Sequence, residues 1–315
     1  MVSQFGKTAI VTAAAAAALV TQGGGAHAAT APASDPRIVA HFDLGAGQTP
    51  EDFALAPDGA VDASFAYADE VAQVSRGGQT KILGQLPKTG DCPVINAPVS
   101  LGIARAADGV VYAVDCTGNA DTGVWRLRPG SAPVQIAHLP AGSFPHKMVL
   151  DDQTGELYIA DSVLGVVWRV PAGGGTPVIW ASGAALRRTS VFGANGITLH
   201  DHAVWVSNTD QGTIVEIPLG ANGSAGPVRT VVTGLAGQVD DFTVLGNDDS
   251  VLAALNPSSQ VVLIRPGGQP QPVLTAADGL SNPTDVAVQG GTVYVTNAAY
   301  FTRTDPNLLV ARLSS

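Results

Sequence analysis

Short runs in which apolar and polar residues alternate recur through almost the whole chain, and a helical period is nearly absent. One set reads DFALAP from Asp52, KMVLD from Lys147, GITLH from Gly196, DFTVL from Asp241 and DVAVQ from Asp285. Alternation of this kind predicts half-buried strands, because successive side chains point to opposite faces. A turn often follows: PDG at Pro57, ADG at Ala107, QTG at Gln153. Such residues supply the backbone angles of a tight hairpin. A second set is richer in β-branched and aromatic residues: VVYAVD from Val110, ELYIAD from Glu156, AVWVSN from Ala203, TVYVTN from Thr292. A third follows a glycine-bearing or polar loop: GVWRL from Gly123, GVVWRV from Gly165, GTIVEI from Gly212, QVVLI from Gln260, NLLVARL from Asn307. A weaker fourth includes TKILGQL from Thr80, TPVIWA from Thr176 and PVRTVV from Pro227.

The residues that open the first set, Glu51, Leu101, His146, Asn195, Asp240 and Thr284, are spaced by 50, 45, 49, 45 and 44 residues. Four strands per unit and six units at a near-even period predict an all-β, six-bladed β-propeller with four antiparallel strands in each blade. A β-sandwich would also use many short strands but would not need this period. The sixth unit ends after its third strand. The segment RIVAHFDL, Arg37 to Leu44, is the expected fourth strand, closing the ring and removing a free sheet edge. The 37 glycines and 21 prolines fall largely between strands and read as turns rather than as a linker.

Residues 1–28 read as a cleaved secretory leader: Lys7, an apolar stretch from Thr8 to Val20, and Ala26-His27-Ala28 as the cleavage signal. The stretch is short and alanine-rich for a membrane anchor. Residues 29–36 are expected to be a loose tail and 37–315 the propeller, secreted and monomeric. Without Lys7 the chain carries 15 basic and 26 acidic residues, about −11. That balance argues against nucleic acid or anionic membrane as partners. Cys92 and Cys116, the only cysteines, are expected to form a disulfide in an oxidising compartment, with thiol chemistry the rival.

In a propeller the first strand of each blade lines the axial channel, and the residue before it opens into the mouth. Glu51, His146, Asn195 and Asp240 would meet there, a set of two carboxylates, an imidazole and a carboxamide suited to Ca²⁺, Mg²⁺, Mn²⁺ or Zn²⁺. No compact local metal motif supports this. The bland alternative is a ring of polar residues around a wet channel.

The segments PEDFALAPDG from Pro50, GANGITL from Gly193, VDDFTVLGNDD from Val239 and ELYIADSVLGVVWRV from Glu156 resemble those of the SMP-30/gluconolactonase/LRE-like family of six-bladed propeller hydrolases. The resemblance spans nearly the whole mature chain. It implies a divalent cation held by a glutamate, two asparagines and an aspartate, which fall on Glu51, His146, Asn195 and Asp240. His146, in FPHKMVLD, departs from the family's asparagine, favouring a softer ion, a proton-carrying role, or a changed or lost activity. The implied reaction is metal-dependent hydrolysis of a sugar lactone or related cyclic ester, a small-molecule substrate. Asp240 is the implied general base, with His146 the second candidate.

Asn208, Lys147 and Arg105 are candidates to reach substrate. Asp52, Asp241 and Asp285 recur one place after the mouth position and are expected to cap strand ends or accept backbone hydrogens. Asp115, Asp161, Asn208, Asn256 and Asn297 close the second strands, where turn bonding explains them. Tyr300 and Phe301 are expected to form an apolar rim, and Trp125, Trp168 and Trp205 to pack between blades. A non-catalytic secreted propeller that binds a small ligand or peptide is the alternative function. A serine esterase is disfavoured by the lack of a GxSxG elbow, and a lyase acting through His146 is a further possibility.

Overall fold

The computed structural model describes residues 33–235, 237–246 and 248–313. The expected leader and residues 29–32 of the expected tail lie outside them. Each alternating run becomes a strand, because its apolar side can be buried and the intervening turns can bend. Gly59 and Gly109, which end PDG and ADG, have φ of 80° and 87°, where only glycine sits without strain.

The strands form six four-stranded antiparallel sheets. Their inner strands are Pro50–Leu55, Val99–Arg105, Pro145–Asp151, Ala194–His200, Val239–Leu245 and Pro283–Gln289. Each packs against the next in order, and the last against the first, which closes a ring. The core lies between blades rather than within one. One apolar cluster joins blades two and three (Leu101, Phe144, Met148, Trp168), another blades three and four (Tyr158, Trp180, Ile197). Further clusters join each remaining pair. Trp168 and Trp205 are buried in these interfaces and Trp125 packs against one, the role expected of them.

The closing strand begins earlier than expected and ends sooner, at His41, so Phe42, Asp43 and Leu44 fall outside it. Ala33–His41 pairs antiparallel with Asn307–Leu313, from Ala33↔Leu313 to His41↔Asn307. Residues 33–36, expected in the tail, therefore belong to the sheet. A register shift between Ser34 and Arg37, with Asp35 at φ 51°, absorbs Pro36, which cannot donate to the ladder. Cys92 and Cys116 form a disulfide with Cα atoms 5.1 Å apart. Among the described residues no helix is long and apolar enough to cross a membrane.

Every inner strand carries one extra residue near its start. Glu51 and Asp52 lie between the pairs Pro50↔Phe65 and Phe53↔Ala63, so two residues face one. The same happens at Leu101–Gly102, His146–Lys147, Asn195–Gly196 and Asp240–Asp241. In the sixth blade the extra residue is Thr284. Such bulges break the alternation locally and re-aim side chains.

Candidate functional site

The bulges sort polar residues into two layers. Glu51, His146, Asn195 and Asp240 come from four blades and line one cavity of about 400 Å³. His146 Nε2 lies 3.3 Å from Glu51 Oε1 and 4.0 Å from Asp240 Oδ1. One ligand atom each from Glu51, His146 and Asp240 falls within 4.8 Å of the others. Asn195 donates from Nδ2 to Thr209 Oγ1 at 2.7 Å, and its Oδ1, though buried, has no partner among the described residues. Of the six mouth positions, Leu101 also lines the cavity. Thr284 does not. It is fully buried and bonds the Pro50 carbonyl at 2.9 Å, joining the last blade to the first.

Asp52, Lys147, Asp241 and Asp285 form the second layer. Lys147 Nζ lies 2.6 Å from Asp285 Oδ1, 3.1 Å from Asp52 Oδ1 and 3.5 Å from Asp241 Oδ2. The acidic trio is thus already filled by an ammonium. Asp52 and Asp285 also accept backbone N–H groups of Phe53 and Val286, both at 2.7 Å, the role expected of them. Asp52 Oδ2 further accepts from Ile103 N at 2.7 Å, tying blade one to blade two.

Burial dominates the electrostatics. It raises the Glu51 carboxyl to about 7, with the Tyr300 hydrogen bond and Lys147 pulling down and Asp285 pushing up. It raises Asp240 well above the carboxylate range, helped by the Glu51 charge. It lowers His146 to about 3, assisted by the Lys147 ammonium. The imidazole is therefore neutral at physiological pH, with a lone pair to offer but little appetite for a proton. Lys147 is raised well above its usual value: its three aspartates outweigh the cost of burial.

Two site residues escaped the sequence reading of chemistry. Tyr300 donates its hydroxyl to Glu51 Oε2 and stands edge-on to Tyr67, with ring centroids 6.0 Å apart. Asn256 donates from Nδ2 to Asp240 Oδ2 at 3.2 Å. Asn256 shared a repeat position with Asp161, Asn208 and Asn297, and only the acid facing it from the inner strand of its own blade, Asp240, sets it apart.

The three residues expected to reach substrate do not line the cavity. Lys147 is held in the layer beneath. Arg105 is at the far end of its strand, paired with Asp62. Asn208 is buried, donating to the carbonyls of Ala185 and Arg187 at 3.0 Å each.

Neither a protein-family model nor a curated protein sequence matches the chain. Solved structures match its fold. A catalytically inactive virginiamycin B lyase from Staphylococcus aureus, with quinupristin, aligns at TM-score 0.59 and 16% identity over 85% of this chain and 82% of that one. A gluconolactonase from Xanthomonas campestris aligns at TM-score 0.63 and 15% identity over 90% and 97%. A luciferin-regenerating enzyme aligns at TM-score 0.65 and 12% identity over 89% and 95%. The gluconolactonase and luciferin-regenerating enzyme fold to which the sequence phrases point is therefore the fold present. A lyase shares it, so fold alone does not choose the chemistry.

Proposed function

We propose that the protein is a secreted hydrolase of a sugar lactone or related cyclic ester, acting with one divalent cation held by Glu51, His146, Asn195 and Asp240. The reading rests on one observation. Ligand atoms of Glu51, His146 and Asp240 converge within 4.8 Å at a cavity, beside the unpartnered Asn195 Oδ1. The donors suit such an ion. Two carboxylates and an amide oxygen are hard ligands, and the neutral imidazole extends the choice toward Zn²⁺ as well as Ca²⁺, Mg²⁺ or Mn²⁺. A buried acceptor left without a partner costs about 1–3 kcal/mol, which a cation would relieve. Export is supported by the leader pattern and fits the disulfide.

A divalent cation in such a site polarises a carbonyl and acidifies water. The side chains supply the rest. Asp240 takes a proton from the water that attacks the lactone carbonyl carbon. Asn256 holds the other carboxylate oxygen at 3.2 Å and so orients it. The bond from the carbonyl carbon to the ring oxygen then breaks. The departing alkoxide recovers the proton from Asp240, leaving an open hydroxy acid. Tyr300 fixes the Glu51 carboxylate. His146, neutral and buried, serves as a ligand and not as the base.

Metal content and lactone hydrolysis, measured with and without chelator, test this. The expected result is loss of turnover on chelation and recovery with one of the four cations. Asp240→Asn is expected to lower kcat by about 10²–10⁴ at unchanged circular dichroism. Full turnover after complete metal removal would sink the mechanism.

A further inference from the structure

The mouth is polar on one side only. Of the six equivalent positions the second carries Leu101, which is 3% exposed and belongs to the cluster between blades two and three. Phe144 and Phe192 continue this surface, with ring centroids 5.3 Å apart. They lie 5.6 and 6.5 Å from the His146 ring. Val99 and Ile95 extend it outward. An apolar wall thus adjoins the reacting centre itself.

Two loops hold the wall in place. The Ile95 loop is pinned by the Cys92–Cys116 disulfide and by Asn96 N donating to Cys92 O at 2.9 Å. The Phe192 loop is gathered by Asp210, which accepts the N–H groups of Thr189, Ser190 and Phe192 at 2.9, 2.6 and 3.2 Å. The polar groups around the centre are mostly engaged with one another: Thr209 by Asn195, Asn256 by Asp240 and Tyr300 by Glu51, while Tyr67, Gln238 and Arg303 line the cavity further round. A polyhydroxylated ring seated against the wall would turn hydroxyls toward hydrocarbon on that face, which disfavours its binding there.

We infer that the substrate is a lactone bearing an alkyl or aryl substituent seated on the wall formed by Leu101, Phe144, Phe192 and Ile95, rather than a sugar lactone. This deepens the hydrolase reading and rests on it. Three δ-lactones share one six-membered ring and isolate the substituent: glucono-δ-lactone, bare δ-valerolactone and δ-decalactone with its pentyl tail. Each methylene removed from water is worth up to roughly fourfold in affinity. The expected kcat/KM for δ-decalactone exceeds that for δ-valerolactone at least tenfold, with glucono-δ-lactone below both. Phe192→Ser and, separately, Ile95→Ser, both on loops, are expected to shrink the ratio of tailed to bare substrate fivefold or more. Binding of the matching lactams, 6-pentylpiperidin-2-one against piperidin-2-one, reads the wall without turnover, and a tenfold preference for the tailed lactam is expected. Such a preference with no lactone hydrolysed would overturn the hydrolase reading and keep the wall. Equal binding of the two lactams, or a preference for glucono-δ-lactone, overturns the wall.

Discussion

His146 and Lys147 are adjacent in sequence and face opposite demands. The bulge sends one to the cavity, where burial and its cationic neighbour keep it neutral. It sends the other among three aspartates, where it stays charged. A different buried acid offers a clean test of how burial acts here. Asp69 is fully buried, and its carboxyl is raised from 3.8 to about 6, by burial first, with Lys88 opposing and Glu70 adding. A raised folded-state value means that the unfolded chain ionises first. Its contribution is therefore fully present below about pH 4 and lost as pH rises through about 6. Asp69→Asn is expected to stabilise the protein by about 1–2 kcal/mol at pH 8 and by little at pH 4 in urea unfolding. An equal effect at both pH values would assign it to packing instead.

At the scale of the strand, the bulge is the device that makes a site from a regular sheet. It needs room, and glycine supplies that at two of the six positions. A Cβ on Gly102 would meet the His146 carbonyl oxygen at 2.4 Å. One on Gly196 would meet Asp241 Oδ1 at 2.2 Å, with Asp240 O and Ser207 Oγ both at 2.9 Å. Ser207 is a joint between blades: its hydroxyl accepts from Gly196 N at 2.7 Å and donates to Asp240 O at 2.8 Å. Gly196→Ala must push this joint apart and shift Asp240. The expected cost is about 1–3 kcal/mol in thermal unfolding, typical of overpacking, together with reduced lactone turnover. Unchanged stability would show that the bulge has slack the geometry does not reveal.

Over the whole molecule, cohesion depends on closing the ring. Strand Ala33–His41 completes the sixth sheet. Its Ala33 joins the cluster between blades five and six, and Ala40 the cluster between blades six and one. Removing residues up to His41 would bare the seven-residue strand Asn307–Leu313 and open both clusters. The truncated protein is expected to unfold at a lower temperature and to self-associate in size-exclusion chromatography, because an unpaired strand is a template for pairing. A truncation that remains monomeric with an unchanged melting temperature would show that closure is dispensable.

Alternation and its near-even period by themselves determined the strands, the count of six blades and the closing strand. They also determined the mouth residue of five blades, the sixth, Thr284, being buried against Pro50 instead. These are local or periodic properties, written in consecutive residues. Only the tertiary structure decided that Lys147 turns away from the cavity, because a one-residue bulge changes the face of its side chain. It alone brought Tyr300 to Glu51, 249 positions apart in the chain, and Asn256 to Asp240. The apolar wall depends likewise on loops from separate blades held by a disulfide and an aspartate. The meeting of Tyr300 with Glu51 and the wall arise from packing between blades, which no pattern within one repeat encodes, whereas Asn256 meets Asp240 inside one blade through the bulge that re-aims the acid.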